Sequence, residues 1–165
     1  MNACLRRWLL AGAVALLAGC AQAPKTPEAE RTQGAFWAGR LALQVESNPP
    51  QYSSAAFELK GHAQSGELSL FTPLGGTLAV LTWAPGSATL KDSNNQVRSF
   101  DSLGALVTQA TGTDLPVGAL FDWLRGTNTP VPGWQADLTQ LAGGRISARR
   151  SDPLPTAQLR VVLDK

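Results

Sequence analysis

The chain has 165 residues, with 14 Lys plus Arg against 12 Asp plus Glu, one histidine and two cysteines. Without Arg6 and Arg7, which lie in a segment read below as removable, the 14 basic residues fall to 12 and match the 12 acidic ones; no basic run or aromatic-interleaved basic patch remains, which argues against nucleic acid as a partner. The lone His62 stands among glycine and glutamine, and the chain carries no H-x-x-x-H, no G-x-S-x-G and no Gly-rich loop opening a helix, so neither an enzyme nor a cofactor or metal site is expected.

In chain order, Arg6 and Arg7 precede the apolar run Trp8 to Ala18, too short for a span of about 20 residues and patterned as a secretory signal. The run closes on Leu17-Ala18-Gly19-Cys20, which resembles the lipobox of bacterial lipoproteins. That resemblance implies cleavage before Cys20, diacylation of its thiol and acylation of the new amino group. Ala21, in place of the Asp that retains such proteins at the inner membrane, implies outer-membrane sorting. Cys4 falls within the removed segment, so the remaining Cys20 has no partner for a disulfide. Residues 21–33 have no apolar period and read as a flexible tether. The expected partition is a signal at 1–19, an acylated cysteine and tether at 20–34, and a single domain at 35–165.

The domain begins with period-2 patterns: Phe36 to Val45, Tyr52 to Leu59, Glu67 to Phe71 and Leu78 to Trp83, the last apolar on both faces and expected to be covered on both sides. A turn is expected over Gly61 to Gly66 and another over Ala84 to Ser87. Short strands at Ala88 to Lys91 and Val97 to Phe100 complete a meander. The period then changes. Leu103, Leu106, Val107 and Ala110 follow helical spacing with Asp101 as N-cap and Gly112 beyond the end, and a second helix starts near Pro116, presents Leu120, Phe121 and Leu124, and stops at Gly126. Strands return at Trp134 to Leu138, Gly144 to Arg149 and Ala157 to Leu163. The fold class is mainly β: a strongly curved, incomplete antiparallel sheet whose concave side is covered by two short helices. Periodicity does not show whether the interior is filled or hollow, and Trp37, Trp83, Trp123 and Trp134 suit either core packing or a cavity lining.

Between the third and fourth strands lies Thr72-Pro73-Leu74-Gly75-Gly76-Thr77, a hairpin tip with a leucine where polar residues are usual. Leu74 either folds back or stands alone on the surface, as single leucines commonly do, or it meets lipid or a lipidated partner.

Several segments together are similar to one family, LolB: the lipobox, G-R-L-A at 39–42, L-x-L-F-x-P-L-G at 68–75 and T-G-x-x-L-P-V-x-x-L-x-x-W-L-R-G at 111–126. The resemblance covers the whole domain. It implies an incomplete antiparallel β-barrel with a helical lid over a hydrophobic cavity. It also implies a monomer anchored by lipid to the outer membrane and facing the periplasm, which accepts triacylated lipoproteins from a soluble periplasmic carrier (LolA-like) and inserts them into the membrane's inner leaflet. On this resemblance Pro73, Leu74 and Gly75 form the membrane-insertion loop. The acyl-chain cavity is expected to draw on Phe57, Leu68, Leu70, Leu78, Val80, Leu106, Leu120, Trp123 and Leu124. The loops after Gly126 are abbreviated relative to the family pattern, and the tail lacks the aromatic-containing final strand expected there. The residues alone leave open a lipid-binding or a structural, assembly-type outer-membrane lipoprotein without carrier handover.

Overall fold

A computed structural model describes residues 34–165. The signal segment, Cys20 and the tether through residue 33 lie outside the described residues. Nine strands are present among the described residues: β1 (Ala35–Val45), β2 (Gln51–His62), β3 (Ser65–Phe71), β4 (Thr77–Ala84), β5 (Ser87–Asp92), β6 (Val97–Phe100), β7 (Trp134–Asp137), β8 (Arg145–Arg150) and β9 (Ala157–Leu163). Helices α1 (Leu103–Thr111) and α2 (Val117–Leu124) fall between β6 and β7.

All neighbouring strands pair antiparallel in one sheet of order β6-β5-β4-β3-β2-β1-β9-β8-β7. The first strand therefore pairs with the last, Gly39 opposite Leu163 through Val45 opposite Ala157. Two meanders are joined edge to edge, leaving β6 and β7 as the free edges. Both edge strands have four residues, which limits the unpaired backbone available to another chain. The join at β1 requires Gly39. A Cβ there would lie 2.1 Å from the Val162 carbonyl oxygen and 2.9 Å from the Leu163 Cα, so any side chain would push the two strands apart.

Residues 101–133 run from one free edge to the other, and this connection carries both helices across the open seam. Helix α1 packs on β5 and β6. Its N-cap is Ser102, whose Oγ accepts the Ala105 amide at 3.1 Å, and not Asp101 as expected; the helix starts one residue later and the serine hydroxyl is the side chain in reach. Gly112 closes it at φ 68°. Helix α2 follows Pro116 without a side-chain cap and ends before Gly126. Its apolar residues bury on the concave face, where Phe121 meets Trp37 and Trp83 edge-on at centroid distances of 5.7 and 6.2 Å.

Two further expectations need correction. Strands β2 and β3 continue through Gly61 and Gly66 to a tight turn at Ala63-Gln64, because Gly66 leaves room for the Trp83 ring beside it. Strand β4 is covered on one face only: Ala79, Leu81 and Trp83 are buried, whereas Thr82 is exposed and Val80 lies between Ser69 and Lys91 on the outer face. The period-2 alternation of pleated strands decides which face each residue takes.

Candidate functional site

The concave face is filled under one part of the sheet and hollow under the other. Ile146 and Ala148 of β8 pack in the continuous core, with Leu106 and Phe121 of the helices fully enclosed. Under β1–β5 and β9 a cavity of about 340 Å³ remains, within the usual range of about 300–1,000 Å³ for small-molecule pockets. Its walls are the inward residues of the strands, among them Leu43, Phe57, Leu59, Leu70, Leu81 and Leu90, and its roof is made by α1, α2 and their Leu115–Pro116 link. The lining contains no ionisable side chain; its only hydroxyls are Ser53, Ser54 and Thr111. Such a surface holds apolar matter and discriminates little among polar groups.

Of the nine residues expected to line a cavity, the structure brings seven to the wall: Phe57, Leu68, Leu70, Leu78, Leu120, Trp123 and Leu124. Val80 points outward from β4, and Leu106 is completely buried on another side of α1. Leu78 reaches the wall through a bulge. Leu70 pairs with Ala79 and Phe71 with Thr77, which leaves Leu78 as the extra residue and turns both Leu78 and Ala79 toward the hollow. Trp83, which suits either core or lining from the sequence, takes the wall, and Leu41, Leu43, Ala79, Leu81, Leu90, Leu159 and Val161 line it without having been expected there. Their alternation was visible, but the β1–β9 pairing that puts them around one space was not.

The cavity opens at one end of the sheet. Its exposed lining residues are Ser53, Ser54, Leu78 and Ala110, at the start of β2, the start of β4 and the end of α1. The Trp37–Phe121–Trp83 cluster occupies the opposite end. The Trp83 and Trp123 indoles donate to the His62 and Thr129 carbonyl oxygens at 3.1 and 3.0 Å, so both rings keep their apolar bodies on the wall with their N–H groups satisfied.

The β3–β4 tip stands at the open end. The Thr72 amide donates to the Gly76 carbonyl at 2.8 Å, the Gly75 amide to the Thr72 carbonyl at 2.9 Å, and the Gly76 amide to the Thr72 hydroxyl at 3.1 Å. These bonds close a three-residue loop whose last member, Gly75, has φ 83°, the left-handed position that glycine takes without strain. Pro73 fixes the first position. Leu74, held between them, is 98% exposed and does not fold back toward the core.

Asp122 lies outside the cavity wall. Asp122 on α2 accepts the Thr129 hydroxyl at 2.8 Å and the Arg125 guanidinium at 2.7 Å. The hydrogen bond from Thr129 chiefly, then that from Arg125, holds its carboxyl below the ordinary carboxylate range. Both contacts tie the loop after α2 to the helix.

Residues 36–155 match the family model described as outer membrane lipoprotein LolB. The outer-membrane lipoprotein LolB of Bordetella petrii is 40% identical over 125 residues, which cover 74% of this chain and 62% of that protein. The proteins of the same name from Cupriavidus pinatubonensis and Cupriavidus metallidurans are both 32% identical, over 92% and 81% of this chain and 75% and 67% of their own lengths. The chain thus spans about 62% of the length of the Bordetella petrii relative.

Proposed function

The chain belongs to the LolB family of outer-membrane lipoproteins, and from that premise we propose that it accepts triacylated lipoproteins from a soluble, LolA-like periplasmic carrier and passes them into the inner leaflet of the outer membrane. The observation that carries this reading is a predominantly apolar, uncharged cavity open at the end where Leu74 projects. The protein itself is held by lipid on Cys20 and faces the periplasm as a monomer.

Each buried methylene is worth about 0.8 kcal/mol, so an acyl chain leaving the carrier finds in the cavity a substitute for the water it must avoid. Handover to the bilayer is downhill because the bilayer surrounds the whole chain, whereas this cavity is incomplete at its mouth. No nucleotide or cofactor is needed for such a sequence. Leu74 acts at the second stage, where its exposed side chain enters the lipid surface and brings the cavity mouth against it.

The test is transfer. The full chain is mixed with carrier loaded with a labelled triacylated lipoprotein and recovered by affinity capture. Label should move to the chain, and moving less when Leu120 is changed to Arg, which places an unpaired charge in the wall, would assign the acceptor site to the cavity. Label staying on a carrier that discharges to another acceptor would overturn the proposal.

A further inference from the structure

Leu74 is not alone at the open end. The links 46–50 (β1–β2), 72–76 (β3–β4), 93–96 (β5–β6) and 151–156 (β8–β9) all connect strands at that end, as the antiparallel order requires. The last of these carries Leu154, 78% exposed between Pro153 and Pro155. Four strands separate the two leucines along the rim, and neighbouring strands stand about 4.8 Å apart, so the two side chains mark points on the order of 15–20 Å from each other along a curved edge.

The 151–156 link holds its shape. Arg150, only 5% exposed, donates from one guanidinium nitrogen to the Pro155 carbonyl at 2.7 Å and from the other to the Asp114 carbonyl at 3.5 Å, and its guanidinium lies 6.0 Å from the Trp134 ring centre. The Ser151 amide donates to the Gly133 carbonyl at 3.1 Å, and the Glu46 amide to the Thr156 carbonyl at 2.9 Å. Gly133 packs so closely on Asp152 that a Cβ there would lie 1.7 Å from the Asp152 carbonyl oxygen. An apolar side chain fixed in water at both ends of its loop gains nothing for the fold. Held in this way, it is available to an apolar partner.

We propose that Leu154 is a second bilayer contact, which with Leu74 seats the open rim on the lipid surface at two separated points. One point of insertion leaves the domain free to rock; two, set four strands apart along the rim, fix the mouth's orientation. The choice of a bilayer as the occupant rests on the acceptor reading above, since the rim is where acyl chains would leave. The 72–76 tip carries no charged residue, and the 151–156 link carries only Asp152. The contact is therefore apolar and does not require anionic lipid. Through Arg150 the Leu154 loop is also bonded to Asp114, in the link between the two lid helices.

The experiment places a benzophenone-bearing amino acid at Leu154, at Leu74, or at Ser87, the exposed first residue of β5 at the far end. The full chain is reconstituted with phosphatidylethanolamine vesicles, irradiated with and without the carrier, and its adducts are weighed. Lipid adducts at 154 and 74 within roughly a factor of three of each other, and none above background at 87, are expected for two loops at one interfacial depth. Lipid adducts at 74 without any at 154 would overturn this inference and leave the acceptor reading standing. No lipid adduct at either position would remove the membrane role of Leu74 as well. An adduct of Leu154 with the carrier in place of lipid would overturn the inference by making the loop a carrier-docking element.

Discussion

Leu74 separates function from stability at the scale of one residue. A side chain 98% exposed on a closed loop contributes almost nothing to the fold, so Leu74→Glu should shift unfolding by no more than about 0.5 kcal/mol in urea titration. Gly39 is the opposite case. Gly39→Ala sets a methyl group against the Val162 carbonyl at the pairing that unites both halves of the sheet, and a loss of about 2–3 kcal/mol is expected by the same titration. Both residues lie in the segments whose pattern was visible in the chain. The sequence made Leu74 conspicuous because Pro73 and Gly75 define a turn around it. It did not show whether the leucine folds back, which depends on the Thr72 hydrogen bonds. Nothing in the pattern singled out Arg150 or Leu154, since the bonds that fix their link run from Arg150 to Asp114, from Ser151 to Gly133 and from Glu46 to Thr156, far apart in the chain.

At the scale of elements, the strands and helices were legible because their periods are strong, while their limits moved where a neighbour intervened. Leu78 reaches the cavity only through the bulge at Leu70/Phe71, which no alternation rule anticipates. Val80 fails to reach it for the complementary reason that its strand has only one covered face. The lid has its own measurable tie. The carboxyl of Asp122, lowered by the Thr129 and Arg125 hydrogen bonds, contributes stability that is present above the ordinary carboxylate pKa and is lost as pH falls through the lower folded value. Wild-type protein should therefore exceed Asp122→Asn in stability at neutral pH, and the difference should vanish as pH drops below about 4, a convergence that paired melting curves at several pH values would reveal. A constant difference down to pH 2 would assign the effect to shape and not to charge.

For the whole molecule, the decisive feature is the pairing of the first strand with the last. It puts two meanders in one curved sheet, sends the connection carrying both helices across the seam, and leaves the space beneath unevenly filled. The container was readable from the chain, but its hollow half was not, because a cavity is a property of volumes that meet in space. The unevenness has a thermodynamic signature. Ile146→Ala in the filled half should cost about 2–4 kcal/mol, whereas Leu120→Ala, which only enlarges an existing void at a half-buried site, should cost about 1 kcal/mol. Equal losses in urea titration would mean that the cavity walls support one another as a closed core does.

The most direct measurement divides delivery into its two stages with the full-length Leu74→Glu chain. Labelled lipoprotein is first offered on the carrier, and the loaded chain is then presented to vesicles, with label followed at both steps. Capture in the cavity should proceed at the wild-type level, and insertion into the vesicles should fall by at least about tenfold, equivalent to about 1.4 kcal/mol of lost coupling to lipid. Insertion at the wild-type rate by a folded variant would contradict the account, since the exposed leucine would then have no part in delivery.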